Sequence, residues 1–264
     1  MSDRITIEVL PSIPYIESGQ DIGNVLLTAI NSAGIQLEEN DIMCVASKAV
    51  SIAEKRQVSL ADIPVGEVAA SIHEQVPRKD PRTLQLMIDE TGSPDGRRLV
   101  IQDNYIAGWL PNGLRLTSAG VDKLNNETVI LLPENPDESA KLIGQRILET
   151  TGINVGIIIT DSDGREDKKG ATQLAIGVYG VPPLRVTESI SDAGVSQTAE
   201  ETVCDMIAAS AALIMGQRGT NKPAVLIRGH QYKFDKEAKI TDALVASNTL
   251  QAMLENRDEP TRPW

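Results

Sequence analysis

The sequence predicts a mixed α/β fold, with mixed sheets flanked by helices, because short apolar runs of strand length alternate with segments of helical periodicity. Residues 5–10 alternate apolar and polar side chains, which is typical of a half-buried strand. Other segments are continuous apolar runs, the pattern expected of strands that are buried on both faces: 42–46, 128–132, 155–160 and 224–227.

Between these runs, apolar residues recur at the three- and four-residue spacing of a helix, at 22–30, 137–148 and 200–215. The second of these segments starts at Pro136-Asp137 and is followed by Gly152. Proline favours the first turn of a helix and glycine the position after its last turn. Strands and helices therefore alternate along the chain, as the predicted fold class requires.

The sequence has no marked domain boundary. No fixed-period repeat, low-complexity tract or Gly/Ser linker divides the chain. We therefore predict one folded unit over residues 1–254, and a division into two subdomains stays open. Residues 255–264 are charged, contain proline and lack periodicity, which predicts a poorly ordered tail.

The net charge narrows the classes of partner. It is −12, with a pI of about 4.7, so the chain would repel a nucleic-acid backbone and we expect no such partner. An acidic site that binds phosphates needs divalent cations to bridge carboxylate and phosphate oxygens. No apolar stretch reaches the roughly 18 residues of a membrane span. The N-terminus lacks the apolar core of a signal peptide, and we expect a cytoplasmic protein without a membrane partner.

Common catalytic signatures are missing from the sequence, which has no P-loop, G-x-G-x-x-G, H-E-x-x-H or G-x-S-x-G motif. His73 and His230 are its only histidines, so a histidine triad or a histidine-rich metal site fits poorly. Cys44 and Cys204 lie in apolar stretches without a C-x-x-C pattern, and we expect buried free thiols. Metal chemistry with oxygen ligands fits this composition better.

The sharpest local feature follows the apolar run 155–160. Asp161 and Ser162 place hard oxygen ligands where a buried strand ends, the position at which active sites of α/β proteins gather. The alternative is an ordinary acidic turn, in which Asp161 caps the next element and Gly164 supplies a positive φ angle. An EF-hand is excluded, because the twelfth position of such a loop is Thr172 and not a bidentate carboxylate.

Two further segments carry polar groups suited to ligand binding. Asp122 and Asn125 follow a run of small residues, and a turn there would present neighbouring oxygens to a metal or a base; a plain polar loop is the alternative. Residues 215–223 offer backbone N–H groups, an amide and cationic side chains, which suit phosphate; a helix C-cap and turn is the alternative. Spacing alone does not show that these segments meet.

Several segments, in order along the chain, resemble the coenzyme F420-0:γ-glutamyl ligase family from about residue 10 to residue 229. Separate blocks in the right order are far harder to obtain by chance than one short motif. The segments that carry the resemblance are 10–14, 41–54, 79–82, 118–125, 159–165, 175–178, Gln217 and 228–229.

The resemblance implies an intertwined homodimer, small-molecule substrates with GTP as co-substrate, and two divalent cations per site, Mg²⁺ or Mn²⁺, with K⁺ as a further candidate. By analogy, Asp122 and Asp161 hold the first metal, and Ser162 and Gln217 supply neutral oxygens to the second. The resemblance assigns nucleotide contacts to Leu10, Pro11, Ser12, Ile13, Ser47, Lys48, Asn125, Gly216, Arg218 and Gly219.

The implied reaction joins the amine of L-glutamate to the carboxylate of coenzyme F420-0 through an acyl phosphate. The chain departs from the family pattern at several places: at 163–168, where an aromatic and basic stretch is replaced, at Ile52 in place of a lysine, at Asp205-Met206, and at Thr187-Glu-Ser. Two alternatives therefore stay open: a diverged γ-glutamyl ligase for another acceptor such as a folate, and a noncatalytic nucleotide-binding relative. The sequence identifies no general base.

Overall fold

A computed structural model describes residues 4–102, 105–192, 194–217 and 219–245. Arg218 and the predicted tail at 255–264 lie outside the described residues. The helices are α1 (Ile22–Ala33), α2 (Ser47–Ala53), α3 (Glu67–Gln75), α4 (Pro81–Thr91), α5 (Pro136–Thr151) and α6 (Val203–Met215). The strands are β1 (Thr6–Val9), β2 (Ile42–Ala46), β3 (Gln57–Ser59), β4 (Leu99–Gln102), β5 (Tyr105–Trp109), β6 (Arg115–Thr117), β7 (Asp122–Lys123), β8 (Thr128–Ile130), β9 (Gly156–Gly164), β10 (Ala171–Tyr179), β11 (Arg185–Ile190), β12 (Ser196–Glu201) and β13 (Ala224–Arg228). The predicted mixed α/β class is confirmed.

The described chain divides into two compact units. Unit 1 consists of the residues up to Arg56 together with Leu132–Asp163 and Gly170–Ala243. Unit 2 consists of Gln57–Leu131 and Gly164–Lys169, with Leu244 and Val245. Each unit has its own sheets and helices.

The main sheet of unit 1 has the strand order β1-β13-β2-β9-β10. β13 runs antiparallel to β1 and β2, whereas β2 and β9 run parallel. Met43 and Ile158, on these two parallel strands, expose none of their surface. Because helices cover such strands on both faces, the strands read as continuous apolar runs in the sequence. α5 and α6 pack against β10, and α1 packs against α5.

The helices of unit 1 begin and end at residues with clear capping roles. The Asp21 side chain accepts a hydrogen bond from the Asn24 N–H at 3.0 Å and caps α1. Asn135 caps α5, whose first residue is Pro136, and Gly152 ends that helix in the left-handed conformation. The helix predicted from Pro136-Asp137 and Gly152 is confirmed.

β11 and β12 form an antiparallel hairpin in which Arg185 lies opposite Glu201. Every side chain of β11 is exposed, including the apolar Ile190. The hairpin overturns one prediction, because residues 200 and 201 belong to β12 and α6 begins only at Val203. An exposed strand without apolar alternation gives no sequence signal that would separate it from the helix that follows.

In its described part, unit 2 holds two three-stranded sheets, β3-β8-β7 and β4-β5-β6, beside the helix pair α3 and α4. The Asp80 carboxylate accepts a hydrogen bond from the Arg82 N–H at 2.9 Å and caps α4, whose first residue is Pro81. This capping fixes the direction in which the chain enters α4 from the preceding loop.

Two further sequence predictions concern thiols and membranes. Cys44 and Cys204 are free and buried, as expected. Burial raises the pKa of the Cys204 thiol to about 12 and that of Cys44 well above its usual range, so neither is a reactive thiolate at neutral pH. Among the described helices, none is both long and apolar enough to cross a membrane.

Candidate functional site

The edge of the unit 1 sheet at which the pairing of β2 with β9 ends brings Ser47 and Asp161 together. The strands are parallel, and their last pair is Ala46 with Thr160, so Ser47 and Asp161 are the next residues at the same edge. The Ser47 hydroxyl, at the first residue of α2, donates to Asp161 Oδ1 at 2.5 Å. Ser47 is buried, so the strand pairing and a buried hydrogen bond both fix the position of the carboxylate.

Two more predicted segments end at this edge. The Leu10 N–H, just after β1, donates to the Ala224 carbonyl at 3.2 Å, and the Ala46 N–H donates to the Pro223 carbonyl at 2.8 Å. The loop before β13 therefore lies next to the end of β2, and the turn after β1 lies beside that loop at the same edge. The predicted residues that unit 1 supplies are Leu10, Pro11, Ser12, Ile13, Ser47, Lys48, Asp161, Ser162, Gly216, Gln217 and Gly219.

Asp161 and Ser162 lie in a strand and not in the acidic turn that was the alternative prediction. β9 was predicted to end at Thr160, but it continues to Gly164. The Thr160 hydroxyl donates to the Gln173 side-chain oxygen on β10 at 2.8 Å, and both side chains are buried. Successive strand residues point to opposite faces, so Asp161 and Ser162 would serve different ligands or different cations.

The loop after α6 has the backbone of a helix C-cap. The Gly216 N–H donates to the Ala212 carbonyl at 2.9 Å, and the Thr220 hydroxyl donates to the Met215 carbonyl. Gly216 and Gly219 have positive φ angles, which glycine adopts at little cost. Gln217 is exposed between them, so its amide is open to a ligand while the loop backbone is held in place.

Unit 2 supplies the other two predicted residues, Asp122 and Asn125. Asp122 opens β7 and lies opposite Ile130 of β8. The segment turns as expected, but Asn125 Oδ1 accepts a hydrogen bond from the Glu127 N–H at 2.8 Å within the turn. The Asn125 amide nitrogen is therefore the group best placed to donate to a ligand.

Asp122 follows an unusual backbone segment. Ser118, Ala119 and Gly120 have φ angles of 54°, 51° and 74°, so the three residues are successively left-handed. Ala119 is completely buried, and a Cβ atom added to Gly108 of β5 would lie 2.7 Å from the Ala119 Cβ. Left-handed non-glycine residues cost about 1–2 kcal/mol each and persist where tertiary packing imposes them, often at functional sites.

Lys79 is the functional candidate that sequence reasoning missed. The Lys79 ammonium donates to the Ser118 hydroxyl at 3.1 Å, and it interacts electrostatically with the Asp122 carboxylate. Burial and the neighbouring Arg78 lower the pKa of Lys79, and the attraction of Asp122 opposes them. The segment 79–82 carried the resemblance, but nothing local in the sequence gave this lysine a role.

The available donors fit a divalent cation of the hard type. Among the described residues, no cluster of three or more His, Cys, Asp or Glu side chains is arranged to hold a metal. A cation at the unit 1 edge would therefore combine the Asp161 carboxylate with neutral or substrate oxygens. Ser162 and Gln217 offer neutral oxygens to a second cation, and oxygen donors are what Mg²⁺ and Mn²⁺ prefer.

Comparison with known proteins shows the family of this chain. A family model described as F420-0:Gamma-glutamyl ligase matches residues 11–229, which is most of the chain. Coenzyme F420:L-glutamate ligase of Methanosarcina mazei is 32% identical over 240 residues, which cover 89% of this chain and 90% of the relative. The chain belongs to the F420-0:γ-glutamyl ligase family.

Other relatives of the same name extend the likeness. The protein from Methanococcus maripaludis strain C7 is 33% identical over 239 residues, covering 89% of this chain and 93% of the relative. The protein from Archaeoglobus fulgidus is 31% identical over 229 residues, covering 84% and 88%. The family inferred from separate sequence segments is confirmed over nearly the full length of its members.

Proposed function

We propose that this member of the F420-0:γ-glutamyl ligase family is a GTP-dependent amide ligase that adds L-glutamate to coenzyme F420-0 through an acyl phosphate. The observation that carries the proposal is the meeting of four predicted segments at one edge of the unit 1 sheet, around the hydrogen bond from Ser47 to Asp161. In a ligase family, such an edge offers loops for phosphates beside a fixed carboxylate.

The chemistry explains why a nucleotide is needed. A carboxylate does not react with an amine in water, so GTP first transfers its γ-phosphoryl group to the acceptor carboxylate, and GDP leaves. The amine of glutamate then attacks the acyl carbon, and phosphate departs with one of the carboxylate oxygens. The protein contributes mainly positioning and electrostatic stabilisation in such transfers.

Each residue at the edge has a task in this proposal. Ser47 holds the Asp161 carboxylate in one orientation, and the turn after Leu10 and the loop around Gln217 face the nucleotide. The family resemblance further assigns Asp122, of unit 2, and Asp161 to the first of two divalent cations, Mg²⁺ or Mn²⁺, and Ser162 and Gln217 to the second. Bound there, the cations would neutralise phosphate charge during transfer.

The identity of the acceptor is the part of the proposal for which a specific observation favours an alternative. The relatives are named for coenzyme F420 and L-glutamate, which supports F420-0. Against this, the chain departs from the family pattern at 163–168, where acidic residues and lysine replace an aromatic and basic stretch. Glu166 and Asp167 are exposed and pair with Arg115 and Arg165. The loss of that aromatic and basic stretch favours a diverged acceptor, such as a folate, as the second candidate.

We further propose the homodimer that the resemblance implies, and the exposed hairpin of β11 and β12 supports it. A lone two-stranded hairpin is marginally stable in water, and Val186 and Ile190 expose an apolar strip on one of its faces. Light scattering should give twice the mass of one chain, and Ile190→Lys should reduce the measured mass.

A cytoplasmic location remains a prediction.

Mass spectrometry of the products tests the proposed function. The purified protein is incubated with Mg²⁺ or Mn²⁺, L-glutamate, and GTP or ATP, with F420-0 and folates as parallel acceptors. A glutamate-sized mass gain on F420-0 with GTP is the expected result. Gain on a folate alone would establish the diverged acceptor, and no gain with any acceptor would favour a noncatalytic nucleotide-binding protein.

A further inference from the structure

Lys79 of unit 2 is held in place at its backbone and at the end of its side chain. Its carbonyl accepts a hydrogen bond from His73 Nδ1 at 2.8 Å, and its N–H donates to the Val76 carbonyl at 3.0 Å. Its ammonium donates to the Ser118 hydroxyl at 3.1 Å. A surface lysine ordinarily moves freely on its four-carbon stem, so this degree of fixation indicates a defined position for the charge.

The ammonium has hydrogen-bonding capacity to spare. It carries three N–H donors, and Ser118 accepts from one. Even if a second is directed to Asp122, a third remains for an incoming oxygen. Lys79 is half-buried, and a desolvated ammonium gains more from an anionic partner than an exposed one does.

We propose that Lys79 is an oxyanion-binding residue of the ligase, whose ammonium donates to an anionic oxygen that arrives beside Asp122. The inference rests on the proposed function, in which Asp122 faces the reacting groups. The oxygen belongs to a nucleotide phosphate or to the acceptor carboxylate, because both present the same chemistry to an ammonium. The neighbouring Lys123 differs, since it is exposed and its side chain leaves β7 on the opposite face from Asp122.

A purely structural role is the competing explanation, in which Lys79 only supports the left-handed turn at Ser118. The two roles predict different results in four variants. Lys79→Met removes the charge, Ser118→Ala removes the turn contact but keeps the charge, and Lys79→Arg keeps the charge with another geometry. Lys123→Met is the matched control, since it removes one positive charge next to Asp122 from an exposed side chain.

The experiment measures KM for GTP, KM for the acceptor, kcat and the melting temperature of each variant. The proposal predicts that Lys79→Met raises one KM by about 10- to 100-fold, the usual effect of losing a charge-assisted hydrogen bond. A rise in KM for GTP identifies a phosphate oxygen, and a rise in KM for the acceptor identifies its carboxylate. Lys79→Arg should restore part of the loss, and Lys123→Met should resemble the wild type.

Two results would overturn the inference while leaving the proposed function intact: wild-type kinetics in Lys79→Met, or an equal loss of affinity in Ser118→Ala together with a lowered melting temperature. If the wild-type protein ligates no acceptor, calorimetry with GTP and Mn²⁺ replaces the kinetics. Weaker GTP binding by Lys79→Met than by the wild type would then support a contact from Lys79 to a phosphate oxygen. Equal binding by the two proteins, or no binding by the wild type, would reject the inference.

Discussion

Asp161 and Asp122 are placed in two physically different ways. Asp161 lies in β9 directly after its buried residues 156–160, and its position is set by the parallel pairing of β9 with β2 and by the Ser47 hydroxyl. Asp122 follows three successive left-handed residues, which are held by close packing of Ala119 on Gly108 and by the contact from Lys79. The first position rests on regular secondary structure, and the second on a strained turn.

This difference predicts where each region is vulnerable. A carboxylate within a paired strand keeps its position when single neighbours change, because many backbone hydrogen bonds share in holding it. A carboxylate after a strained turn moves when one packing contact changes, since left-handed residues relax once the contacts that impose them are lost. Four variants test this contrast.

Asp161→Asn should abolish ligase turnover and leave the fold intact. The amide keeps the size of the carboxylate and can still accept from Ser47, but it removes the charge that would hold a divalent cation. Product formation and the melting temperature are the two readouts. Asp167→Asn is the matched control, because Asp167 is exposed and pairs with Arg165. Normal turnover in Asp161→Asn would remove Asp161 from the site.

Ser47→Ala should raise the Mn²⁺ or Mg²⁺ concentration needed for activity by about 10- to 100-fold. This is the usual effect of removing a group that orients a metal ligand. The change deletes the hydroxyl that donates to Asp161 and leaves the strand pairing untouched. Ser51→Ala is the control, since Ser51 is also buried on α2, one turn further on. Equal metal titrations for the two variants would show that strand pairing alone places Asp161.

Gly108→Ala should destabilise the protein by about 1–3 kcal/mol, because the new methyl group meets the Ala119 Cβ at 2.7 Å and the Thr91 methyl at 2.9 Å. It should also raise the metal concentration needed for activity, since relief of the clash displaces the turn before Asp122. Gly144→Ala creates a similar clash with Tyr179 in unit 1. The Gly144→Ala control should lower the stability to urea and leave metal activation unchanged. Identical metal titrations for Gly108→Ala and Gly144→Ala would contradict the contrast between Asp122 and Asp161.

Asp205→Asn should have the smallest effect, an increase of about 0.5 kcal/mol or less in the free energy of unfolding at pH 7. The Asp205 carboxylate accepts from the Ala175 N–H at 2.9 Å, and burial raises its pKa. Since a raised pKa means that the charged form is disfavoured in the folded state, the gain is present above that pKa and fades as the pH falls through it. Thermal melts at pH 7 and at mildly acidic pH check the sign, and a gain that grows on acidification would be inconsistent with it.

Sequence reasoning predicted the sheet of unit 1 better than the elements around it. β2 was predicted with its observed bounds, because a strand buried on both faces is a continuous apolar run. The polar end of β9 and the exposed β12 were missed, since pairing there does not depend on apolar side chains. The left-handed turn at Ala119 could not be predicted, because packing against Gly108 overrides the preference of alanine for negative φ angles.

Isotope transfer tests whether the acceptor carboxylate is phosphorylated before glutamate attacks. The acceptor is labelled with ¹⁸O in its carboxylate, and the phosphate released during ligation is analysed by mass spectrometry. The account predicts one ¹⁸O atom in each phosphate for each amide formed, because the carboxylate oxygen leaves with the phosphoryl group. Unlabelled phosphate alongside a normal yield of glutamyl product would contradict it.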